Sequence, residues 1–185
     1  FRHGEAFTIS DHLTVWDSNK AIYRPTVHYA YCPTDAAVAS MHELEMRQWE
    51  LTTNQRIMNE EIIDGDDRLG VLLMGHAYKS WWTGSLLNIH DSRKLIPKQS
   101  ATTVQVASAV YAAVAWAMAN PNSGYKVPDD LPWQEVLGFA EKYWGGYHSA
   151  AADWDPLMHR NDLFKGWNDR QYDERDPWQF SNFLV

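Results

Sequence analysis

His3 and Glu5 stand close together near the start of the printed sequence and are its most suggestive pair for chemistry. A carboxylate that hydrogen-bonds one ring nitrogen of a histidine can orient the imidazole as a proton carrier. Alternating apolar and polar residues follow, which predict that the pair lies at the entry to a strand. General acid–base work is the chemistry that these two residues suggest, and a plain surface contact is the alternative.

A second group of candidates is an acidic segment at residues 60–67. Its carboxylates belong to Glu60, Glu61, Asp64, Asp66 and Asp67. The segment lacks the alternating ligands and the terminal glutamate of a calcium-binding EF-hand loop. Two interpretations stay open: a site for a cation, and a solvated turn before a buried strand, which charge runs usually form.

The remaining residue types exclude several kinds of site. The eight histidines show neither HxxxH nor HExxH spacing, and none sits with the single cysteine, Cys32, so we predict no metal. A lone cysteine also excludes an intramolecular disulfide and is typical of a reducing cytoplasm. No GxGxxG loop follows a predicted strand, and no nucleophile elbow occurs.

The composition narrows the class of protein. The chain has 185 residues, with 16 lysines and arginines against 24 acidic residues, which gives a formal net charge of −8. This length is enough for a domain with a buried core. The acidic balance disfavours a nucleic-acid surface and suits small cationic ligands better. No uninterrupted apolar run reaches about 18 residues, so we expect no membrane partner.

The first elements that must carry these residues follow from periodicity and turn signals. Period-two alternation predicts a strand over residues 7–15, and a second β-rich run is predicted over residues 21–31. Thr34 is predicted to cap a helix over residues 35–51. A short extended segment is expected at residues 56–63.

The second half of the chain is predicted to hold a hairpin and two helices. Residues 70–76 predict a buried strand that pairs with residues 80–89. An Ala-rich helix is predicted from Ser100 or Thr102 to about Asn120, and a further helix begins at Pro132. The helical steps of three and four residues are those between Val104, Ala107, Tyr111, Val114 and Met118, and a helix so rich in alanine is predicted to pack closely on both sides. The tail, residues 150–185, is predicted to be an ordered loop. These elements predict an α+β fold with a mostly antiparallel sheet and flanking helices.

Several blocks of sequence together resemble the bacterial homospermidine synthases. In family order they are residues 2–11, similar to RHxEAFTISDYLTV, residues 23–31, similar to YRPTxHYAY, residues 64–76, similar to DGxDELGVLLxGH, then residues 83–85, 99–106 and 176–180. The resemblance covers essentially the whole chain and is weakest at residues 45–56 and 125–175. Agreement of so many blocks in one order is far more specific than any single motif.

The resemblance implies an NAD-dependent transferase of polyamine metabolism in the saccharopine dehydrogenase group. Members of that group have an N-terminal Rossmann domain, then an α+β domain, and then a helix by which the chain returns to the Rossmann domain. Here residues 1–97 resemble the α+β substrate and dimerisation domain. Residues 98–185 resemble the return helices and a C-terminal wrapping segment, which we expect to complete one compact unit. Because the first methionine is Met41, we expect that Phe1 is not a translation start. The resemblance implies that the NAD-binding half lies outside this chain, and we therefore expect this part alone to be inactive.

The family's reaction is redox-neutral. NAD⁺ takes a hydride from an amine carbon of putrescine, the imine exchanges ammonia for a second putrescine, and the returned hydride gives homospermidine. The resemblance implies that His3 and Glu5 are catalytic and that His3 also contacts the outer amine of the substrate. One carboxylate of the acidic segment, Asp64 or Asp67, is implied as a second contact to the diamine.

Thr102 and Thr103, expected just before the long helix, are implied to lie beside the cofactor. The family sequence there is nearer QNATGLQV, so Thr103 adds a side chain where the family has glycine. The resemblance further implies a cytoplasmic homodimer. Two other functions stay open: a non-catalytic dimerisation or interaction domain, which ten tryptophans would suit, and another polyamine dehydrogenase of the same group.

Overall fold

The structure is a computed structural model that describes residues 3–158 and 172–184. Two units are distinguished in it. The first contains the chain up to Met58 together with Val127–Asp130, and the second contains Asn59–Lys126 and the chain from Leu131 onward. The predicted division into residues 1–97 and 98–185 stays a prediction.

The first unit holds two helices and a small hairpin. Helix α1, Glu5–His12, precedes the antiparallel strands β1, Val15–Asp17, and β2, Lys20–Tyr23. Helix α2, Asp35–Met46, begins as predicted, because the side chain of Thr34 accepts the amide of Ala37 at 3.3 Å.

Both predicted ends in this unit differ from the structure for local reasons. Helix α2 stops before residue 51, since Gln48 and Trp49 adopt positive φ angles of 55° and 65°, which a right-handed helix does not contain. The β-rich run predicted to reach Tyr31 ends at Tyr23, and residues 24–34 form no regular element. Pro25 removes a backbone donor there, which disfavours continuation of a strand ladder.

The strand predicted over residues 7–15 is wrong, because helix α1 occupies most of it. The positions that turn inward are Ala6, Ser10 and Thr14, which recur every four residues as a helix requires. The hydroxyl of Thr14 donates to the carbonyl of Ser10 at 2.8 Å and is nearly buried. Phe7 and Leu13, which suggested the alternation, are 71% and 50% exposed. Small residues face inward here, so apolar periodicity indicated the wrong element.

The second unit is built on a three-stranded antiparallel sheet in the order β3–β4–β5. Strands β3, Asp66–His76, and β4, Lys79–Asn88, form the predicted hairpin. The third strand, β5, Tyr147–Ala152, overlaps the segment predicted as loop. The hydroxyl of Ser80 donates to the carbonyl of Ala152 at 2.6 Å, so this alanine-rich strand depends on its neighbour rather than on its own β-propensity. Of the predicted tail loop, residues 159–171 and 185 lie outside the described residues.

Strand β3 is an edge strand, and the prediction that it is buried is wrong. Leu69, Val71 and Leu73 are 47%, 56% and 50% exposed. They share one face of the sheet with Leu87, on which helix α4, Ala101–Ala119, packs. The strand also begins earlier than expected, so Asp66 and Asp67 belong to it rather than to a turn.

Helix α4 forms the core with the sheet. Leu87, Ala101 and Val104 are all less than a tenth exposed and pack together. The prediction that α4 packs closely on both sides is wrong, since Val114 and Met118 are 53% and 77% exposed. The side chains that turn inward instead are those of Ala101, Val104, Gln105, Ser108, Ala112 and Trp116. Because α4 is apolar on all sides, periodicity alone does not define which side packs.

Shorter helices also belong to this unit. Helix α3, Ile89–Leu95, directly follows β4. Helix α5, Trp133–Ala140, packs on α4, where the indole nitrogen of Trp116 donates to Glu135 Oε2 at 2.9 Å. By length and composition alone α4 could cross a membrane, a property that the core helices of soluble domains share.

The start of α4 provides a test of local stability. Ser100, one of the two predicted starts, caps the helix, and its hydroxyl accepts the amide of Thr103 at 3.2 Å. We expect Ser100→Ala to lower the free energy of unfolding by about 1 kcal/mol, because this amide loses its acceptor. Ser100→Asp keeps an acceptor and is the matched control. Urea denaturation followed by tryptophan fluorescence measures both, and an equal loss in the two variants would contradict the capping role.

Candidate functional site

The predicted pair His3 and Glu5 is in direct contact. His3 Nδ1 lies 2.8 Å from Glu5 Oε2, with side chains 47% and 58% exposed. Glu5 is the first residue of α1, where the positive end of the helix dipole favours a carboxylate. The pKa of Glu5 is lowered mainly by a hydrogen bond from the backbone amide of the same residue, and then by the hydrogen bond with His3. Glu5 is therefore a carboxylate at neutral pH that holds the imidazole.

Tyr29 completes this group, although it is not among the site residues predicted from the sequence. Its ring stacks on the imidazole of His3, with ring centroids 4.1 Å apart and planes 12° from parallel. Two contacts therefore restrict the imidazole: Glu5 at one nitrogen and Tyr29 across one face. The available signal was the position of Tyr29 inside the block at residues 23–31.

Two tethers bring that block to helix α1. The hydroxyl of Ser10 donates to the carbonyl of Pro25 at 2.8 Å. The guanidinium of Arg24 donates to Asp11 Oδ1 at 2.9 Å. Arg24 and Pro25 belong to the block at residues 23–31, and their partners lie on α1. The first two blocks that carry the resemblance are thus neighbours in space, and His3, Glu5 and Tyr29 lie where they meet.

This arrangement can carry a proton. If Nδ1 of His3 donates its hydrogen to Glu5, the other ring nitrogen, Nε2, has a lone pair that can accept a proton from an amine. Once protonated, the imidazole can also return that proton as a general acid. About half of the His3 side chain is exposed, which leaves a small molecule free to reach it.

Asp64 and Asp67 occupy different surroundings. Asp64 is 90% exposed, accepts the amide of Gly65 at 2.8 Å and lies 4.0 Å from His90 Nε2. Asp67 is half-buried in β3, opposite Leu87 on β4. The high exposure of Asp64 suits a solvated turn and equally leaves its carboxylate open to a cation.

Thr102 and Thr103 lie in the first turn of α4 rather than before it, which corrects the predicted position. Both are exposed. The hydroxyl of Thr103 is 2.9 Å from that of Ser100, which also accepts the amide of Thr103. The helix dipole places partial positive charge at this end of α4. The two threonines therefore offer hydroxyl groups beside a weakly positive helix start.

The structure groups the predicted site residues into two sets. His3 and Glu5 belong to the first unit, and Asp64, Asp67, Thr102 and Thr103 belong to the second. Within residues 3–158 and 172–184, no three histidine, cysteine, aspartate or glutamate side chains come together as a metal site would require.

Comparison with known proteins locates the chain among its relatives. A family model described as the saccharopine dehydrogenase C-terminal domain matches residues 1–143. The homospermidine synthase of Blastochloris viridis is 44% identical over 185 residues, which cover 99% of this chain and 38% of that protein. The homospermidine synthase of Mesorhizobium japonicum is 40% identical over 185 residues, or 99% of this chain and 37% of that protein.

A solved structure agrees with these similarities. The crystal structure of the homospermidine synthase from Legionella pneumophila in complex with NAD matches 97% of this chain and 38% of its own, with a TM-score of 0.87 and 37% identity. The predicted α+β fold and the predicted resemblance are confirmed. The chain spans 38% of the length of the first of these relatives.

Proposed function

Because the chain belongs to the saccharopine dehydrogenase C-terminal domain family, we propose that it is the C-terminal part of an NAD-dependent enzyme that converts two putrescines into homospermidine and ammonia. The observation that carries this proposal is the contact among His3, Glu5 and Tyr29, where two blocks that resemble homospermidine synthases meet. The proposal is supported by two homospermidine synthases that are 44% and 40% identical to this chain over 99% of its length.

His3 moves a proton of the substrate in this proposal. An ammonium group has no lone pair, so the attacking amine of the second putrescine must lose a proton before it adds to the imine. Glu5 holds Nδ1 of His3 at 2.8 Å, so Nε2 faces the amine and accepts its proton. Tyr29 keeps the ring plane fixed by stacking. Addition of the amine forms one carbon–nitrogen bond, and departure of ammonia breaks another.

We also propose that a carboxylate of the second unit, Asp64 or Asp67, binds an ammonium group of a diamine substrate. Asp64 is the more open of the two candidates, with 90% of its side chain exposed, whereas Asp67 is half-buried in β3. A carboxylate that lies close to an amine favours the protonated form of that amine. The formal net charge of −8 supports the approach of a doubly charged diamine.

Thr102 and Thr103 contact the dinucleotide at the start of α4. When bound, NAD⁺ supplies the hydride acceptor chemistry of the reaction. The exposed hydroxyls and the positive end of the helix dipole suit a contact with its polar edge. The sequence has no GxGxxG loop, so these residues fit a contact at the margin and not the main phosphate cradle. We therefore expect no measurable NAD binding to residues 1–185 alone by calorimetry.

The reaction is tested with the complete gene product. Incubation with putrescine and NAD⁺ is expected to yield homospermidine and ammonia in equal amounts, with no net NADH, because the hydride is returned. Mass spectrometry and an ammonia assay measure the products, and omission of NAD⁺ is the control. Accumulation of NADH with a different product would instead support another polyamine dehydrogenase. Absence of both turnover and NAD binding would support an interaction domain.

We also propose that the protein is a cytoplasmic homodimer without nucleic-acid or membrane partners, joined through the sheet of the second unit. The exposed face of β3, with Leu69, Val71 and Leu73 about half exposed, supports such an interface. The outward residues Val114 and Met118 of α4 are proposed to contact the NAD-binding part of the enzyme. Light scattering on the complete gene product measures the oligomeric state, and a monomer would contradict the interface.

A further inference from the structure

Gln105 is a buried polar residue that the proposed reaction does not use. It lies in helix α4, one turn after Thr102, and its side chain is 1% exposed. Nε2 donates to Ser85 Oγ at 2.9 Å and to the backbone carbonyl of Asp67 at 3.5 Å. One amide group thus joins α4 to β4 and, through a longer contact, to β3.

Stability alone is a poor explanation for this amide. Its oxygen, Oε1, is buried and has no hydrogen-bond partner within the described part of the chain. A buried polar atom without a partner lowers stability, so an apolar side chain of similar volume would be as good or better for the core. The amide therefore contributes more to the position of helix α4 than to the stability of the fold.

Helix α4 needs such a contact because its apolar surface is nearly uniform. Val110, Val114 and Met118 face outward with more than half of each side chain exposed, while alanines and Val104 face inward. Contacts between alanine and aliphatic groups are non-directional, so they define neither the rotation nor the axial position of a helix sharply. A shift of one residue moves a helical side chain by about 1.5 Å along the axis and about 100° around it, which would break both bonds from Gln105.

We propose that Gln105 is a positioning residue that fixes the first turn of α4, with Thr102 and Thr103, relative to Asp67 on β3. The inference rests on the proposed function, which assigns the threonines to the dinucleotide and an aspartate of this segment to the diamine. Gln105 contacts neither ligand. It sets the spacing between the two groups of residues that do.

The test compares two variants of the complete gene product on the same helix. Gln105→Met keeps the length of the side chain and removes both hydrogen bonds to the strands. Ser108→Ala is the matched control. The hydroxyl of Ser108 accepts from the indole nitrogen of Trp144 at 2.9 Å and donates to the backbone carbonyl of Gln105 at 2.7 Å, and its loss leaves the side-chain bonds of Gln105 to β3 and β4 intact. Steady-state kinetics gives KM and kcat, and thermal unfolding gives the loss of stability.

We expect Gln105→Met to raise KM for NAD⁺ about tenfold, which corresponds to a loss of about 1.4 kcal/mol in binding, because the displaced threonines hold the dinucleotide less well. We expect Ser108→Ala to leave KM unchanged at a similar loss of thermal stability. If the wild-type protein forms no homospermidine, the proposed function is wrong. If the wild type is active and KM for NAD⁺ is unchanged in Gln105→Met, the positioning role is wrong.

A further variant covers the case in which Gln105→Met does not fold. Ser85→Ala removes the acceptor at 2.9 Å and leaves Gln105 in place. Because it deletes a single buried oxygen, we expect it to fold and to raise KM for NAD⁺ in the same direction, by a smaller factor. A folded Ser85→Ala variant with wild-type KM would overturn the inference.

Discussion

Replacing His3 by alanine in the complete gene product is expected to lower kcat/KM for putrescine by about a hundredfold or more, the usual contribution of a general acid–base group. The physical reason is that the attacking amine then loses the oriented imidazole that accepts its proton. In the wild type this ring is held by Glu5, 2.8 Å from Nδ1, and by Tyr29, with 4.1 Å between ring centroids. Product formation from putrescine and NAD⁺ measures the effect.

The control for this prediction lies on the same helix. His12, in the last turn of α1, is also an exposed histidine, and we expect His12→Ala to keep wild-type kinetics. Asp64→Asn is expected to raise KM for putrescine with little change in kcat, because it weakens the hold on an ammonium group. Unchanged kinetics in both His3→Ala and Asp64→Asn would show that neither residue contacts the reacting diamine.

The largest expected effect on stability is that of Gly145→Ala, just before β5. Gly145 has a φ of +78°, and a Cβ there would lie 2.6 Å from the carbonyl oxygen of Leu86 and 2.9 Å from Leu87 Cδ1. The left-handed conformation costs an alanine about 1–2 kcal/mol. Overpacking against the core adds about 1–3 kcal/mol. We therefore expect a loss of about 3 kcal/mol in the free energy of unfolding.

Gly124→Ala separates the two causes of that loss. Gly124 has a similar φ of +68°, but nothing lies within 4 Å of a Cβ built there. The variant therefore has only the conformational cost, about 1–2 kcal/mol. Urea denaturation of both variants under identical conditions gives the difference. Equal losses would mean that Leu86 and Leu87 yield to the new methyl group and that close packing at Gly145 contributes nothing.

Helix α1 and strand β5 show where prediction from the sequence failed. The alternation of Phe7, Ile9, Leu13 and Val15 predicted a strand, yet each is at least a third exposed, and the inward side of α1 carries alanine, serine and threonine. Strand β5 is rich in alanine and has no period-two signal. In both cases the deciding contacts come from residues distant in sequence, Pro25 for α1 and Ser80 for β5.

The site was predictable only in part, because some of its contacts join residues that are distant in sequence. His3 and Glu5 are near neighbours in the chain, so their contact is local and their spacing indicated it. Tyr29 reaches His3 only because Arg24 and Pro25 are tethered to α1, and no local pattern reports that contact. Gln105 is likewise an unremarkable polar residue in the sequence, and its role depends on strands that lie about 20 and 38 residues earlier in the chain.

The sequence by itself determined the helix cap at Thr34, the approximate start of α4, the β3–β4 hairpin, the α+β class and the family resemblance. These properties depend on neighbouring residues or on blocks of residues in order, which a chain carries whether folded or not. Only the tertiary structure decided the side on which α4 packs, the position of β5 and the stacking of Tyr29 on His3. Each of those results from competition among distant apolar and hydrogen-bonding groups for the same partners, and that competition is resolved only when the chain is folded.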